Sequence, residues 1–446
     1  MITYDKVKKL NTKISSKKLE EKYRYSAKYF TRNRKINFKD SVYFTLNKRG
    51  LSLKMEMNNF SNMTGRMKDV SKSALCQQRK KIDPEVFKEL NSDYIKNSYD
   101  NPRDYKTIKG YIVMAIDGMQ IEIPDVQELR EEYGTSQGRE GQRTSARALT
   151  SCLYDVVNNW VIDAQIDKLK TPERELAKKH ITELIMTLTG EIDLEKIIIL
   201  FDRGYPCIEM IYVLQEIGIK YIFRGKISNY KKEIEKQKED DGEIEIKINE
   251  KKIKNVKEKN LKEELRRKGK IKSRLVKYEL ETGEEEILIT NLKEEEFNRE
   301  EIGKLYYRRW NIELAYNIAK NKLELENFSG QSKIVVEQEF YGQMIMLNIA
   351  EDFRKDANEG IEKKKENGYK YDYQVNMNTL IGLLRERFIL ILISMAINKD
   401  EKSKREYDEI IEEIRKELVP IRPGRRNERK KYKGYNKYKR NYRRNS

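Results

Sequence analysis

The sequence predicts an α/β fold built on a central sheet. Two continuous apolar runs, YIVMAID ending at Asp117 and KIIILFD ending at Asp202, are typical of buried strands. Between them, SARALTSCLYDVV and NWVIDAQI predict a hairpin that turns at Asn158-Asn159. Helices are expected from the start signal TPE at 171–173 and over PCIEMIYVLQEIG, and the strand KYIFRG follows. The predicted order is therefore β-β-β-α-β-α-β.

Acidic residues close the first and fourth predicted strands. This pattern matches a ribonuclease-H-like sheet, in which these two strands are neighbours and their carboxylates converge, although periodicity alone does not separate it from other α/β folds. After Lys226 the pattern changes to charge-rich alternation in EIEIKINEKKIK, followed by RLVKYEL and EEEILITNL joined at Glu281-Thr282-Gly283. We therefore predict a ribonuclease-H-like core interrupted by a β-rich insertion.

The helical pattern resumes at Glu300 and is stopped by Pro420 and Pro423. The predicted organisation has six regions: a basic, mostly helical DNA-binding region at 1–100, the first part of the core at 105–225, the insertion at 226–295, core completion at 296–350, a helical C-terminal region at 351–420 and a basic disordered tail at 421–446.

The charge of the chain favours a polyanionic partner. Its formal net charge is +19 at pH 7. Residues 1–100 contain 24 basic and 11 acidic residues, and Arg422–Ser446 contains 12 basic and one acidic residue. Nucleic acid or an anionic membrane surface is the expected partner class. The tail tyrosines are interpreted as part of a solvated, nonspecific charge, with stacking on bases as the alternative; they are Tyr432, Tyr435, Tyr438 and Tyr442.

Several classes of protein are excluded. Cys76, Cys152 and Cys207 show no CxxC spacing, so the sequence predicts neither disulfides nor a zinc ribbon and fits a reducing cytoplasm. The N-terminus lacks the apolar core of a signal peptide, and the run Phe388–Ile397 is too short to cross a bilayer. The sole histidine, His180, is expected to cap a helix or to be solvated, which leaves no multi-histidine metal site.

The segment VSKSALCQQRKKI predicts a helix capped by Ser71 or Ser73. We interpret it as helix-turn-helix-like, with an ordinary basic surface helix as the alternative. The side chains expected to face bases and phosphates are Gln77, Gln78, Arg79, Lys80 and Lys81.

The segment GKLYYRRWNIELAYNIAKNKLELE places Tyr306, Arg309, Glu313 and Lys320 on one predicted helix. At about 100° per residue these four positions fall within roughly 60° of arc, over roughly 21 Å of helix. Such a face suits a helix laid along a phosphate backbone, whereas the alternative is a solvated face with an i,i+4 pair between Arg309 and Glu313. Trp310 lies on another side and is expected to pack in the core.

Together these segments resemble the DDE transposases of bacterial insertion sequences, specifically the IS-four family, whose hallmark is the spacing Tyr-x2-Arg-x3-Glu-x6-Lys. The resemblance includes AIDGMQIEIPD, FDRGYP, LETGEEEILITNL, KYFTRNRKINF and VSKSALCQQRKKI, and covers roughly residues 27–350. It implies that Asp117, Asp202 and Glu313 form the catalytic, metal-binding triad.

The resemblance also implies two Mg²⁺ ions, for which Mn²⁺ can substitute, and contacts to the cleaved DNA end from Tyr306, Arg309 and Lys320, with Arg203 beside the second acid. Partners would be double-stranded DNA, at the terminal inverted repeats and at the target, and a second copy of the chain on DNA, with no membrane. The location would be the nucleoid of a bacterial cytoplasm. Trp160 and Trp310 both lie outside the insertion, which puts a hairpin route of cleavage in doubt.

Three rival functions remain to be separated. A tyrosine recombinase needs a histidine two or three residues from an arginine, but His180 is followed at the third position by Glu183. A noncatalytic, regulatory DNA-binding protein would fit the basic ends alone. A stand-alone nuclease of the same core would share the acids and lack the joining reaction.

Overall fold

The structure, a computed structural model, describes residues 2–32, 34–136, 144–225, 231–237, 239–280, 283–361, 371–397 and 399–422. The chain divides into two compact units. The first unit comprises Met1–Asn97, Gln120–Ala148 and Asn317–Ser446, and the second comprises Ser98–Met119 and Leu149–Tyr316.

Helices dominate the N-terminal part, and strands alternate with helices in the middle. The elements up to residue 224 are α1 (Ile2–Ile14), α2 (Lys17–Tyr23), α3 (Phe38–Leu46), α4 (Leu53–Thr64), α5 (Lys72–Arg79), α6 (Glu85–Tyr99), β1 (Ile112–Glu122), α7 (Gln127–Tyr133), β2 (Arg147–Asp155), β3 (Trp160–Lys168), α8 (Glu173–Leu188), β4 (Ile197–Phe201), α9 (Ile208–Glu216) and β5 (Lys220–Arg224).

The remaining elements are α10 (Lys231–Lys236), β6 (Asp241–Lys247), α11 (Glu250–Ile253), α12 (Lys259–Lys268), β7 (Lys270–Glu279), β8 (Glu285–Thr290), α13 (Arg299–Tyr307), α14 (Asn311–Asn321), α15 (Lys333–Glu359), β9 (Asp372–Val375), α16 (Met377–Ala396), α17 (Asp400–Lys416) and β10 (Leu418–Ile421). The order β-β-β-α-β-α-β predicted for β1 to β5 is confirmed, apart from the short helix α7 between β1 and β2.

The main sheet has the strand order β3-β2-β1-β4-β5-β8-β7-β6. Strands β1 and β4 are parallel, with Ile116 opposite Phe201, and β4 and β5 are parallel, with Phe201 opposite Phe223. All five residues of β4 are buried, as expected for a strand with neighbours on both edges and cover on both faces. Asp117 and Asp202 directly follow the last residue pair of this parallel register, so they lie next to each other on adjacent strands. β1 itself continues to Glu122, so the prediction that this strand ends at Asp117 was wrong.

The strand pair predicted in the insertion is confirmed, and the structure adds where it lies. β8 pairs antiparallel with β5, β7 with β8, and β6 with β7, so the insertion extends the main sheet. Pairing with β8 satisfies the backbone groups of β5 that would otherwise form an open edge. Of the turn predicted to join β7 and β8, residues 281–282 lie outside the described residues.

In the first unit the long helix α15 packs against α1, α3, α16 and α17. The apolar run Phe388–Ile397 lies mainly in α16, where Phe388, Ile391 and Leu392 are buried. None of the helices in the described ranges is long and apolar enough to cross a membrane. α17 ends at Lys416, before Pro420, which lies in β10 paired with β9. The tail beyond residue 422, with its four tyrosines, lies outside the described residues.

Helix α5 confirms the predicted cap, since Ser71 accepts a hydrogen bond of 3.1 Å from the backbone N–H of Ala74. Arg79, however, is buried and only 2% exposed. Its guanidinium donates to Glu339 at 2.8 Å and to Gln338 at 3.2 Å. Arg79 follows buried Leu75 by one helical turn and shares its inward face, so the expectation that Arg79 faces DNA is corrected: it belongs to the core.

The other predicted DNA contacts in this segment keep more access to solvent. Gln77 and Lys80 are exposed, and Gln78 and Lys81 are half-buried. Lys81 donates to the side chain of Gln78 at 3.1 Å.

Substitution of Arg79 tests its structural role. Arg79→Ala should lower the free energy of unfolding by about 3–5 kcal/mol, because it leaves the Glu339 carboxylate buried without its main partner. Lys80→Ala, at an exposed position beside it, should change that free energy by less than about 0.5 kcal/mol. Urea unfolding of the full chain measures both variants. Unchanged stability of the Arg79 variant would contradict the buried pairing.

Candidate active site

Two carboxylates lie where the parallel pairing of β1 with β4 stops: Asp117 is inside β1, one residue after Ile116, and Asp202 directly follows β4. Oδ1 of Asp117 accepts the backbone N–H of Gly118 at 2.8 Å. Oδ1 of Asp202 is buried and has no hydrogen-bond partner among the described residues. Its cationic neighbour is Arg224, whose Nη1 lies 4.0 Å away. The site thus contains a carboxylate oxygen that is removed from water without a hydrogen bond, with a guanidinium no nearer than 4.0 Å, and a bound cation would stabilise it.

Burial raises the pKa of Asp117 from 3.8 to about 6. The positive charge of Arg309 opposes this rise, while the negative charges of Asp202 and Glu173 add to it. Desolvation disfavours the charged form of a carboxylate, and like charges nearby act in the same direction. The acids at this edge therefore repel each other, and a bound cation would relieve that repulsion.

Hydrogen bonds from two side chains hold the backbone of Asp117 in place. Its carbonyl oxygen accepts hydrogen bonds from Tyr316 Oη at 2.6 Å and from Ser151 Oγ at 3.0 Å. Ser151 Oγ also lies 3.0 Å from Nε2 of His180, whose Nδ1 is 2.5 Å from Asp163. His180 is fully buried, so the expectation of a capping or solvated histidine was wrong. The network instead positions Asp117.

The segment with the Tyr-Arg-Glu-Lys spacing is not one continuous helix. α13 ends at Tyr307, a 3₁₀ turn covers Arg308–Trp310, and α14 begins at Asn311. A 3₁₀ turn within a helical stretch changes the direction in which side chains point. Trp310 is 42% exposed, with the guanidinium of Arg309 5.0 Å from its ring centroid, so the expected core packing of this tryptophan is not observed.

Arg309 lies between two of the predicted catalytic acids. Although it is only 3% exposed, its Nη1 lies 3.2 Å from Asp117 Oδ2 and its Nη2 lies 3.4 Å from Glu313 Oε1. Among the described residues, no three carboxylate, cysteine or histidine side chains gather closely enough to hold a metal ion. The structure therefore brings Asp117 and Asp202 to one edge and links Glu313 to Asp117 through Arg309.

The other residues predicted to contact DNA near the acids differ in their exposure to solvent. Tyr306 is 4% exposed, and its hydroxyl has no hydrogen-bond partner in the described part of the chain. Lys320 donates to the carbonyl oxygen of Gln120 at 2.6 Å and lies 3.2 Å from Glu326. Arg203 is exposed. Arg203 is thus open to solvent, Lys320 is half-buried and Tyr306 is buried.

Three residues near the acids were not predicted as site residues. Arg224 ends β5 and pairs with Glu286 at 2.5 Å, and the rule of charged residues at strand ends would have identified it. Tyr205 is 1% exposed, with a hydroxyl that has no partner in the ranges described. Glu173 interacts electrostatically with Asp202. In the sequence, Glu173 indicates only a helix start, because acids are common in a first helical turn.

The donor chemistry at this edge fits a divalent cation. Carboxylate oxygens are the preferred ligands of Mg²⁺, and Asp117 and Asp202 supply them from adjacent strands. The buried, unpartnered oxygen of Asp202 is the atom best placed to gain from a cation. The Glu313 side chain is 40% exposed, and among the described residues its carboxylate pairs with Arg309 at 3.4 Å, which is long for a hydrogen bond.

A basic groove occurs in the N-terminal part of the first unit. It encloses a volume of about 580 Å³ and is lined in part by Lys28, Arg32, Arg34 and Lys81. The ammonium of Lys81 lies 5.2 Å from the centroid of the Tyr29 ring. Cations interleaved with an aromatic ring are typical of surfaces that bind nucleic acid.

Residues 108–349, more than half of the chain, match the family model described as Transposase DDE domain. The chain belongs to this transposase family. No curated protein matches it. A solved structure, the cryo-EM structure of a piggyBac transposase synaptic complex with hairpin DNA, is similar with a TM-score of 0.46 and 9% identity, over 94% of this chain and 86% of that one. A similarity this weak supports no conclusion about this transposase.

The raised pKa of Asp117 makes a prediction about stability. Because the folded-state pKa of about 6 exceeds the ordinary 3.8, wild-type protein loses stability relative to Asp117→Asn as pH rises through that window. At pH 8 the variant should unfold with a free energy up to about 3 kcal/mol higher, and the difference should vanish below pH 4. Urea unfolding in chelator at both pH values measures this. A variant less stable at pH 8 would contradict the prediction.

Proposed function

We infer that the chain is a DDE transposase of the IS-four type, which cleaves DNA at the ends of an insertion sequence and transfers the 3′-hydroxyl ends to target DNA. The observation that carries this proposal is the pair Asp117 and Asp202 on adjacent parallel strands, just past the last paired residues, with Arg309 between Asp117 and Glu313. The strand order β3-β2-β1-β4-β5 supports a ribonuclease-H-like core, interrupted by the insertion after β5.

Asp117 and Asp202 would hold the divalent cations, and Glu313 would join them after exchanging its contact with Arg309. The chemistry supplied by bound Mg²⁺, or by Mn²⁺ in its place, is activation of the attacking oxygen and stabilisation of the leaving 3′ oxygen. The hydrogen bonds from Tyr316 and Ser151 keep the Asp117 backbone in place during this exchange.

Arg309 has two roles in this proposal. Without cations it neutralises Asp117 and Glu313, and with cations present its Nη groups are free to bind a DNA phosphate in the bidentate manner that guanidinium favours. Its Nε and the Tyr306 hydroxyl lack partners among the described residues and are the donors available for the same phosphate. Lys320 would reach DNA only after leaving the Gln120 carbonyl and Glu326.

The basic N-terminal region is proposed to bind the terminal inverted repeats. The side chains proposed for this contact lie on or just after α5, and they are Gln77, Gln78, Lys80 and Lys81. Lys81 also lines the basic groove. The enzyme would act as a homodimer on double-stranded DNA, in the nucleoid of a bacterial cytoplasm. Arg79 takes no part in DNA contact, since its charge is used inside the protein.

Substitution of the three acids tests the catalytic proposal. The assay is Mg²⁺-dependent strand cleavage of an oligonucleotide that carries insertion-sequence ends. Its rate should fall at least about a hundredfold in each of three variants, because the metal site would be incomplete. The variants are Asp117→Asn, Asp202→Asn and Glu313→Gln. Binding to the same oligonucleotide, measured by gel shift, should be retained.

A matched control is Asp193→Asn, an exposed acid before the opposite end of β4, which should cleave like wild type. Wild-type cutting by any of the three variants would reject the assignment of that acid. Cleavage by the wild type without joining of 3′ ends to target DNA would favour the stand-alone nuclease, and binding without cleavage would favour a regulatory protein.

The salt dependence of DNA binding tests the N-terminal contacts. Lys80→Ala and Lys81→Ala should each weaken binding and reduce the slope of log affinity against log salt by about one, the loss of one phosphate contact. Lys404→Ala, whose ammonium pairs with Asp408 at 3.0 Å, serves as the control and should leave the slope unchanged. An unchanged slope in both α5-region variants would exclude this surface as the phosphate-binding one.

A further inference from the structure

A fourth acid, Glu173, lies close enough to Asp117 and Asp202 to interact with both electrostatically. Glu173 opens α8, and its carboxylate is placed against the two glycines that follow the aspartates. A β-carbon added to Gly118 would lie 2.8 Å from Oε1 of Glu173, and one added to Gly204 would lie 3.5 Å from Oε2. Oε1 thus occupies space that a side chain at Gly118 would take, whereas Oε2 is in ordinary van der Waals range of the Gly204 position.

Glu173 has no structural partner that would explain this placement. In the described ranges its carboxylate forms no hydrogen bond and no ion pair, although the residue is exposed to solvent. Partial burial of the carboxylate and the negative charge of Asp202 both raise the pKa of Glu173. Like charges this close repel each other, and a cation bound among them would relieve that repulsion.

A buried hydroxyl points independently to a ligand here. Tyr205 is 1% exposed, and its hydroxyl has no hydrogen-bond partner in the described part of the chain. The hydroxyl interacts electrostatically with Glu173, Asp117 and Asp202. A buried hydroxyl usually finds a partner, and a water bound to a cation among these acids would provide one.

We propose that Glu173 is a further carboxylate of the metal site, which binds the divalent cation held by Asp117 and Asp202 either directly or through one of its water ligands. The inference rests on the proposed function of the two aspartates. Mg²⁺ keeps several waters in proteins, so contact through water fits a structure in which Glu173 and the aspartates are neighbours without forming a closed ligand set. Glu173, in α8, and Glu313, in α14, would approach the cation from different helices.

The experiment measures Mn²⁺ affinity of the full chain by electron paramagnetic resonance, without DNA and without turnover. Glu173→Gln should weaken Mn²⁺ binding about ten- to a hundredfold. Glu175→Gln is the matched control, since Glu175 shares the first turn of α8 but lies near Lys178 and Lys257. It should bind Mn²⁺ within about twofold of wild type, because it leaves the site untouched.

Three outcomes separate this inference from the proposed function. Loss of binding in Asp202→Asn with normal binding in Glu173→Gln would overturn the role of Glu173 and leave the aspartate site standing. Normal binding in both would overturn both proposals. Equal weakening by Glu173→Gln and Glu175→Gln would indicate a general effect of charge at the helix start, and would also overturn the inference.

A second variant tests the geometry directly. Gly118→Ala should displace the Glu173 carboxylate, because the new β-carbon would lie 2.8 Å from it, and should weaken Mn²⁺ binding about as much as Glu173→Gln. In the Glu173→Gln background the same alanine should have little further effect, since its target is already removed. Additive losses would contradict the proposal.

Discussion

The arrangement of this site depends on electrostatic repulsion among carboxylates at one edge of a sheet. Parallel pairing of β1 with β4 forces Asp117 and Asp202 to emerge side by side. Burial of Asp117 makes its negative charge costly, and Arg309 supplies positive charge beside it, while Arg224 lies 4.0 Å from Asp202. Among the described residues, Arg309 Nε and the Tyr306 hydroxyl have no hydrogen-bond partner, and hydrogen bonds from Tyr316 and Ser151 hold the Asp117 backbone.

Much of the second unit could be predicted from the sequence because its signals are local. Continuous apolar runs predicted the strands β1 and β4, and the turn at Asn158-Asn159 predicted the hairpin of β2 and β3. The predictions that were wrong concerned residues whose partners are distant in the sequence. Arg79 looks like a surface cation until α15 supplies Glu339, and His180 looks solvated until Asp163 and Ser151 enclose it.

The prediction for the Tyr-Arg-Glu-Lys segment was wrong for a different reason. Its spacing predicted one straight helical face, but the 3₁₀ turn at Arg308–Trp310 redirects the side chains, so that Arg309 points to Asp117 while Trp310 stays exposed. Local propensity does not encode this turn, because nothing in the sequence breaks the helical pattern there. The guanidinium of Arg309 instead pairs with the carboxylate of Asp117, which is distant in the sequence.

The joining of β8 to β5 has a consequence for how such a chain can change over time. An insertion that folds as a separate lobe can be exchanged or deleted at little cost to its host. Here β6, β7 and β8 complete the sheet that carries Asp117, and their removal would leave β5 with an open flank one strand away from Asp202. These three strands are thus a fixed part of the sheet, and shortening the segment requires a replacement strand beside β5.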